Sequence, residues 1–295
     1  MLEFKDIEIK DKSTIQNFID SKTENSEINF TNLFIWAECY STQYVVWEDV
    51  LIIMNISPSG RYLCFFPKGN GNIKKALRQM YEFLHSKGES LVITNASQEE
   101  AEIFKEVFPR GTVTENRDFE DYVYLRESLV NLSGKKLHSK KNHLNRFKKH
   151  YPDYVYREMT KNDFDRCVAL AKRLISEGTR EGEISDYWEI LSIKRLFENF
   201  DVLGLKGGVI EIDGEIVAFT VGEGQNDKYA IIHAEKADTS YEGAYAAINN
   251  EFVAKTLTEY EFINREEDMG LEGLRKAKLS YRPHYMIKKY KCRTD

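Results

Sequence analysis

Apolar positions along the chain alternate between a helical period and a strand period, and each change of period marks an element. Phe4 to Ile9 reads as a strand, and Ile15, Phe18 and Ile19 share one face of a helix opened by the capping box Ser13-x-x-Gln16. A second short helix fits Thr31 to Cys39. Tyr44 to Trp47 and Val50 to Ile56 make a hairpin across Glu48-Asp49, and Tyr62 to Phe66 a third strand after the Pro58-Ser-Gly60 turn. A helix over Ile73 to His85, a strand over Ser90 to Thr94, a helix capped by Ser97-x-x-Glu100 and a strand over Tyr122 to Leu125 close this half.

The order then repeats. Tyr154 to Glu158 is a strand, and Thr160-x-x-Asp163 opens a helix with Phe164, Cys167, Leu170, Ala171 and Leu174 inward, ended by Gly178. Ser185 heads a helix carrying Trp188, Leu191, Leu196 and Phe197. Leu203 to Ile212, Glu215 to Gly222 and Lys228 to Glu235 are strands, the first two joined by the hairpin turn Asp213-Gly214. A helix over Gly243 to Thr258, a strand at Phe262, a helix at Leu271 and a last strand over His284 to Lys291 follow. The class is α/β (α+β), with a mixed sheet flanked by helices in each half. The predicted divisions are residues 1–128, a basic linker helix at 129–152, and residues 153–295.

Composition narrows the function. Hydrophobic residues make up 42% and aromatics 13% of the 295 residues, enough for two buried cores. No signal-peptide pattern opens the chain, and the longest apolar run, Val50 to Met54, is far too short to cross a bilayer, so the expectation is a cytoplasmic protein with no transmembrane segment. The four cysteines are scattered without a histidine set, which predicts neither a metal site nor disulfides. The net charge of −6 argues against binding nucleic acid through bulk charge, so two local cationic zones stand out. One is Ser133 to Tyr151, where Leu137, Leu144, Phe147 and Tyr151 form a narrow inward stripe. Lys135, Lys136, Lys140, Lys141 and Arg146 make its outer face a candidate for a polyanion such as transfer RNA, against the plainer reading of a solvated linker.

The second cationic zone adjoins the richest chemistry. Phe262-Ile263 reads as a buried strand that runs at once into Asn264, Arg265, Glu266, Glu267 and Asp268. Asp268 is placed to cap a helix with Leu271 and Leu274 inward and Arg275, Lys276 and Lys278 outward, with Tyr281 just beyond. Carboxylates, cations and a helix start meeting at a strand end resemble a ligand crevice of an open α/β sheet. The strand ending in His233, Glu235 and Lys236 carries a second set, and the fold that this order of elements resembles places that strand beside the Phe262 strand. Glu235, Glu266 and Asp268 are the candidate catalytic acids, with His233, Lys236, Asn264, Arg265, Arg275, Lys278 and Tyr281 as candidate substrate contacts. A cavity of this kind suits a zwitterionic aminoacyl group; the competing reading is a buried ion-pair network. Pro67-Lys-Gly-Asn-Gly-Asn72 can present amides to a phosphate but equally fits an ordinary tight turn.

The order of elements is that of the Gcn5-related N-acetyltransferase fold, and a tandem pair resembles the Fem-type aminoacyl transferases. Asn32-Leu-Phe-Ile-Trp36, Leu132-Ser-Gly-Lys-Lys136 with Asn142 and Phe147, His233-Ala-Glu-Lys-Ala237, Gly243-Ala-Tyr-Ala-Ala-Ile-Asn-Asn-Glu-Phe252 and the stretch from Tyr260 to Pro283 are similar to a bacterial family of unassigned function. That family is grouped with the C-terminal synthase domain of phosphatidylglycerol lysyltransferases. The resemblance implies an aminoacyl or acyl transferase that moves an activated acyl group, borne on transfer RNA, to an amine or hydroxyl of a small-molecule or lipid acceptor, with no cofactor required. A coenzyme-A-dependent N-acyltransferase and a non-catalytic polyanion- or RNA-binding protein stand as alternatives. Where acetyltransferases carry Q/R-x-x-G-x-G/A, this chain has Ser240-Tyr-Glu-Gly-Ala-Tyr245, without the cation, which counts against acyl-coenzyme A as donor.

Overall fold

A computed structural model describes residues 2–19, 22–177 and 186–295, so the expected helix end at Gly178 and helix start at Ser185 lie outside the described residues. The chain forms two compact units, residues 1–120 with 287–295, and residues 121–286. These limits differ from the expected divisions, and strand pairing gives the reason. Asp121–Leu125, expected to close the first half, pairs antiparallel with Phe262–Asn264 in the second unit. The expected last strand is two pieces, Tyr285–Ile287 and Tyr290–Arg293. The latter fills the slot between Val92–Ala96 and Thr112–Glu115, a strand with no clear apolar alternation that the sequence pattern missed. The basic span at 129–152 is likewise part of the second unit, in which the helix His138–His150 buries Leu144 and Phe147 in the core.

In the first unit the sheet order is Lys5–Asp6, Gln43–Trp47, Val50–Ile56, Tyr62–Cys64, Val92–Ala96, Tyr290–Arg293 and Thr112–Glu115. The turn at Glu48-Asp49 forms where expected and holds both residues in the left-handed region, as a two-residue hairpin of this type requires. The glycine loop proves to be the ordinary turn: a Cβ on Gly71 would collide with the Glu48 carbonyl, and the Asn72 side chain caps the helix Ile73–His85 by accepting from Lys75 N–H. Ser97 and Glu100 form the expected reciprocal capping box. A shallow surface groove lined by Gln98, Ala101, Lys105 and Tyr290 holds none of the predicted site residues.

In the second unit the order is Tyr285–Ile287, Asp121–Leu125, Phe262–Asn264, Tyr229–Ala237, Glu215–Gly224, Lys206–Ile212 and Val155–Glu158. The helix Ala244–Lys255 is buried nearly all round and packs on the three long strands, while Arg126–Asn131 and His138–His150 pack on it in turn. Phe164–Glu177 packs on the two central strands and on Asp186–Glu198. Among the described residues no helix is long and apolar enough to cross a membrane.

Candidate functional site

One backbone feature generates the site. Tyr229–Ala237 and Phe262–Asn264 are parallel neighbours, in register only from Tyr229↔Phe262 to Ile231↔Asn264. Beyond that point they part. The first strand stays with Glu215–Gly224, with a bulge that leaves His233 without an opposite residue. The second stays with Asp121–Leu125, through Arg265 N–H to the Tyr122 carbonyl and Tyr122 N–H to the Glu266 carbonyl. Side chains bridge the opening. Arg265 donates from Nη2 to Glu235 Oε1 at 2.8 Å, and His233 Nδ1 lies 3.1 Å from Glu266 Oε1.

Around Glu235 and Arg265 the surroundings are aromatic and cationic. Asn249 Nδ2 donates to Glu235 Oε2 at 3.0 Å. The Arg265 guanidinium lies 4.9 Å from the Tyr281 ring and 5.8 Å from that of Tyr124, and Lys140 Nζ lies 4.4 Å from the Tyr281 ring. Burial disfavours the Arg265 charge, yet the adjacent Glu235 carboxylate outweighs it and holds the pKa above the ordinary value. Burial pushes the Tyr281 phenol up to about 12. Burial also pulls Lys140 down, and the Arg265 charge adds to the effect. Two polar atoms here are buried without a hydrogen-bond partner among the described residues, Arg265 Nη1 and Asn249 Oδ1. A polar group left in that state is costly unless something else meets it.

The Glu266 side differs. The His233 imidazole is wholly buried between two carboxylates, with Nε2 3.0 Å from Glu223 Oε1. Burial alone would lower its pKa, but the hydrogen bonds to Glu223 and Glu266 raise it to about 9. An imidazolium donating from both nitrogens fits this geometry at neutral pH. Asn264 accepts from Glu266 N–H at 2.8 Å and donates to Asp121 at 3.1 Å, which lets Glu266 take its left-handed φ of 57°.

Asp268 and Arg275 form a separate clasp. Asp268 is not the helix cap: Glu272–Leu279 has Leu271 at that position, and the carboxylate turns inward, fully buried. It accepts from Arg275 Nε at 2.9 Å and Nη2 at 2.7 Å, from Gly270 N–H at 2.9 Å and from the Tyr122 hydroxyl. Burial raises its pKa, but these donors more than compensate and hold it below the usual carboxylate range. Lys278, expected outward, is buried. Its ammonium donates to the Arg265 carbonyl at 2.6 Å and to the Glu267 carbonyl, so it ties down the loop, and burial lowers its pKa.

Two further expectations are corrected by geometry. Lys236 is absent from this set because strand alternation turns it to the other face, where it pairs with Glu189. Lys140 is half-buried against Tyr281 rather than on the outer face with the exposed Lys135, Lys136 and Lys141; Arg146 is exposed but paired with Glu242 at 2.8 Å. Glu223, Asn249, Tyr124 and Asp121 escaped the sequence reading. A glutamate between two glycines in an apolar strand, and the run Asn249-Asn250-Glu251 in an apolar helix, were the signals available. Among the described residues no group of His, Cys, Asp and Glu could hold a metal ion.

Comparison with known proteins agrees with this architecture. A solved structure of a conserved protein of unknown function from Bacteroides thetaiotaomicron VPI-5482 is 37% identical, with a TM-score of 0.91 over 100% of both chains. The C-terminal domain of a putative lysylphosphatidylglycerol synthetase from Agrobacterium fabrum shares the fold at 14% identity, with a TM-score of 0.68 over 97% of this chain and 91% of that one. FemX does so at 9% identity, with a TM-score of 0.58 over 98% of this chain and 97% of that one, so the fold is the tandem Gcn5-related N-acetyltransferase fold. An uncharacterised protein of Mycoplasmoides gallisepticum (strain R(low)) is 26% identical over 175 residues, 58% of this chain and 54% of that protein, so the match spans about half the length of this curated relative. Residues 19–293 match the family model described as phosphatidylglycerol lysyltransferase, C-terminal, and the chain belongs to that family.

Proposed function

We propose that this chain is an aminoacyltransferase that takes an activated aminoacyl group, carried as an ester on transfer RNA, and transfers it to a hydroxyl or amine of a small-molecule or lipid acceptor. The observation that carries this reading is the opening between the two parallel strands, bridged by the Glu235–Arg265 pair with a buried guanidinium nitrogen, Nη1, that has no acceptor among the described residues. In the reaction the acceptor oxygen or nitrogen attacks the ester carbonyl carbon, and the carbonyl oxygen becomes an oxyanion. The bond to the ribose oxygen then breaks, and that oxygen takes the proton the acceptor gives up. A fixed donor such as Arg265 Nη1 is suited to the oxyanion, and Glu235 and Asn249 hold it in place. The exposed Lys135, Lys136 and Lys141 suit the backbone of the donor RNA.

Acyl-coenzyme A fits less well. In the acetyltransferase pattern the pyrophosphate sits at the helix start that Gly243 occupies here. A Cβ on Gly243 would collide with the His143 carbonyl, so the helix His138–His150 already fills that approach.

The test is single-turnover transfer from an aminoacyl-transfer RNA to a panel of glycerol-containing and amine acceptors. Arg265→Lys keeps a cation for Glu235 but removes the second donor, and kcat/KM should fall by about 10²–10³. Consumption of acyl-coenzyme A but not of the ester, or no turnover of either, would overturn the proposal.

A further inference from the structure

We propose that Lys140 is a self-acylation site: its ε-amine takes the acyl group of a small activated carboxyl compound, such as an acyl phosphate, and holds it as an amide. The inference goes beyond the transfer reaction proposed above and does not depend on it.

The surroundings of the amine carry the argument. Lys140 lies half-buried on the helix His138–His150, with Nζ 4.4 Å from the centre of the Tyr281 ring. A ring face attracts an ammonium, but it does not replace the oxygens that the three N–H groups require. Among the described residues no oxygen accepts from Nζ and no acid pairs with it. Other cations of the same helix are unlike it: Arg146 pairs with Glu242 at 2.8 Å, and Lys148 with Glu251 at 3.2 Å. Three or four residues away along the chain stand Lys136, Leu137, His143 and Leu144, none of them acidic. From other elements come one acid and one cation. Glu235 already accepts from Arg265 and Asn249, and the Arg265 guanidinium lies 4.9 Å from the same Tyr281 ring, to which the Tyr124 ring stands edge-on.

An amine desolvated near another cation is favoured in its neutral, nucleophilic form. The pKa of Lys140 follows, pulled down first by burial and then by Arg265, with Glu235 opposing. As with thiols, a less basic amine is intrinsically less reactive, yet more of it is free, and the second effect is the larger for a group that titrates above the ambient pH. In the reaction the Nζ lone pair attacks the acyl carbonyl carbon, the bond from that carbon to the phosphate oxygen breaks, and the released phosphate takes the proton the amine gives up. The amide carries no charge, so the modification removes a cation from the neighbourhood of Arg265.

The experiment is incubation of the full chain with acetyl phosphate at a series of pH values, with acetylated lysines followed by peptide mass spectrometry. Lys149, exposed on the same helix, is the internal reference. At pH 7 Lys140 should be acetylated faster than Lys149, by about threefold or more. The ratio should fall as pH rises past the ordinary lysine value of about 10.4, because both amines are then free. Accessibility alone would give a ratio that does not change with pH. A constant ratio, or a Lys140 that is acetylated no faster than Lys149 at pH 7, would overturn the site whether or not the chain transfers an aminoacyl group.

Discussion

Replacing Asp268 with asparagine separates a structural clasp from a catalytic carboxylate. The carboxylate is fully buried and accepts from two nitrogens of Arg275, from Gly270 N–H and from the Tyr122 hydroxyl. Asparagine keeps one oxygen and presents an NH2 group where the other accepted, so at least one charge-assisted bond is lost and a donor faces a donor. Each such bond contributes about 1.5–3 kcal/mol, and Arg275 is 31% exposed, which lets water recover part of the loss. The expected destabilisation is about 3 kcal/mol, a fall in Tm of roughly 6–12 °C for a unit of this size.

The pH dependence has a definite sign. Because the folded carboxyl titrates below its unfolded value of about 3.9, its contribution is full above that pH and is lost as pH falls through the folded pKa. Asp268→Asn should therefore lower stability at pH 7 and leave a shallower acid limb. Urea unfolding at pH 7 and pH 3, with transfer measured beside it, is the assay. A variant that melts within about 2 °C of wild type yet loses transfer would refute the clasp and make Asp268 a catalytic group.

Four other outcomes are expected. His233 titrates above its unfolded value of about 6.5, so its contribution is complete below that pH and disappears as pH rises through about 9; His233→Gln should cost about 3 kcal/mol at pH 6 and little at pH 10 in chemical denaturation. Deleting residues 290–295 removes the strand between Val92–Ala96 and Thr112–Glu115, and hydrogen exchange should then show the first unit unprotected while the second keeps its slow amides. Gly243→Ala adds a Cβ at φ 91° against the His143 carbonyl and should destabilise the second unit by about 2 kcal/mol or more, read as Tm, with no gain of coenzyme A binding in thermal shift. Replacing Lys135, Lys136 and Lys141 together with glutamine should weaken transfer RNA binding and reduce the slope of log K against log salt by about 2–3, with stability nearly unchanged.

Local chemistry was legible wherever neighbours along the chain decide the outcome. The hairpin at Glu48-Asp49, the capping boxes at Ser97 and Thr160, and the inward stripe of Leu137, Leu144 and Phe147 are set within a few residues, so periodicity and cap residues fixed them. The element order also sufficed for the tandem fold, although Thr112–Glu115 carries no strand pattern of its own. The pairing of Glu235 with Arg265, and the placing of His233 against Glu266, required strand adjacency, which the resemblance to a known fold supplied.

Partner choice across the sheets belonged to the tertiary structure. Asp121–Leu125 reads as a strand, and Tyr290–Arg293 overlaps the end of the one read over His284 to Lys291, but an apolar strand pattern names a face and not a neighbour, so which sheet takes it is decided by the edge left open. Lys140 and Lys278 show the same limit for charge. Both belong to cationic runs that the sequence assigns to solvent, and both turn inward: one lies against the Tyr281 ring, and the other meets two loop carbonyls that no local pattern reveals. A buried cation is stable only when its surroundings meet it, and those surroundings come from segments more than ten residues away, which is why only the folded chain could place them.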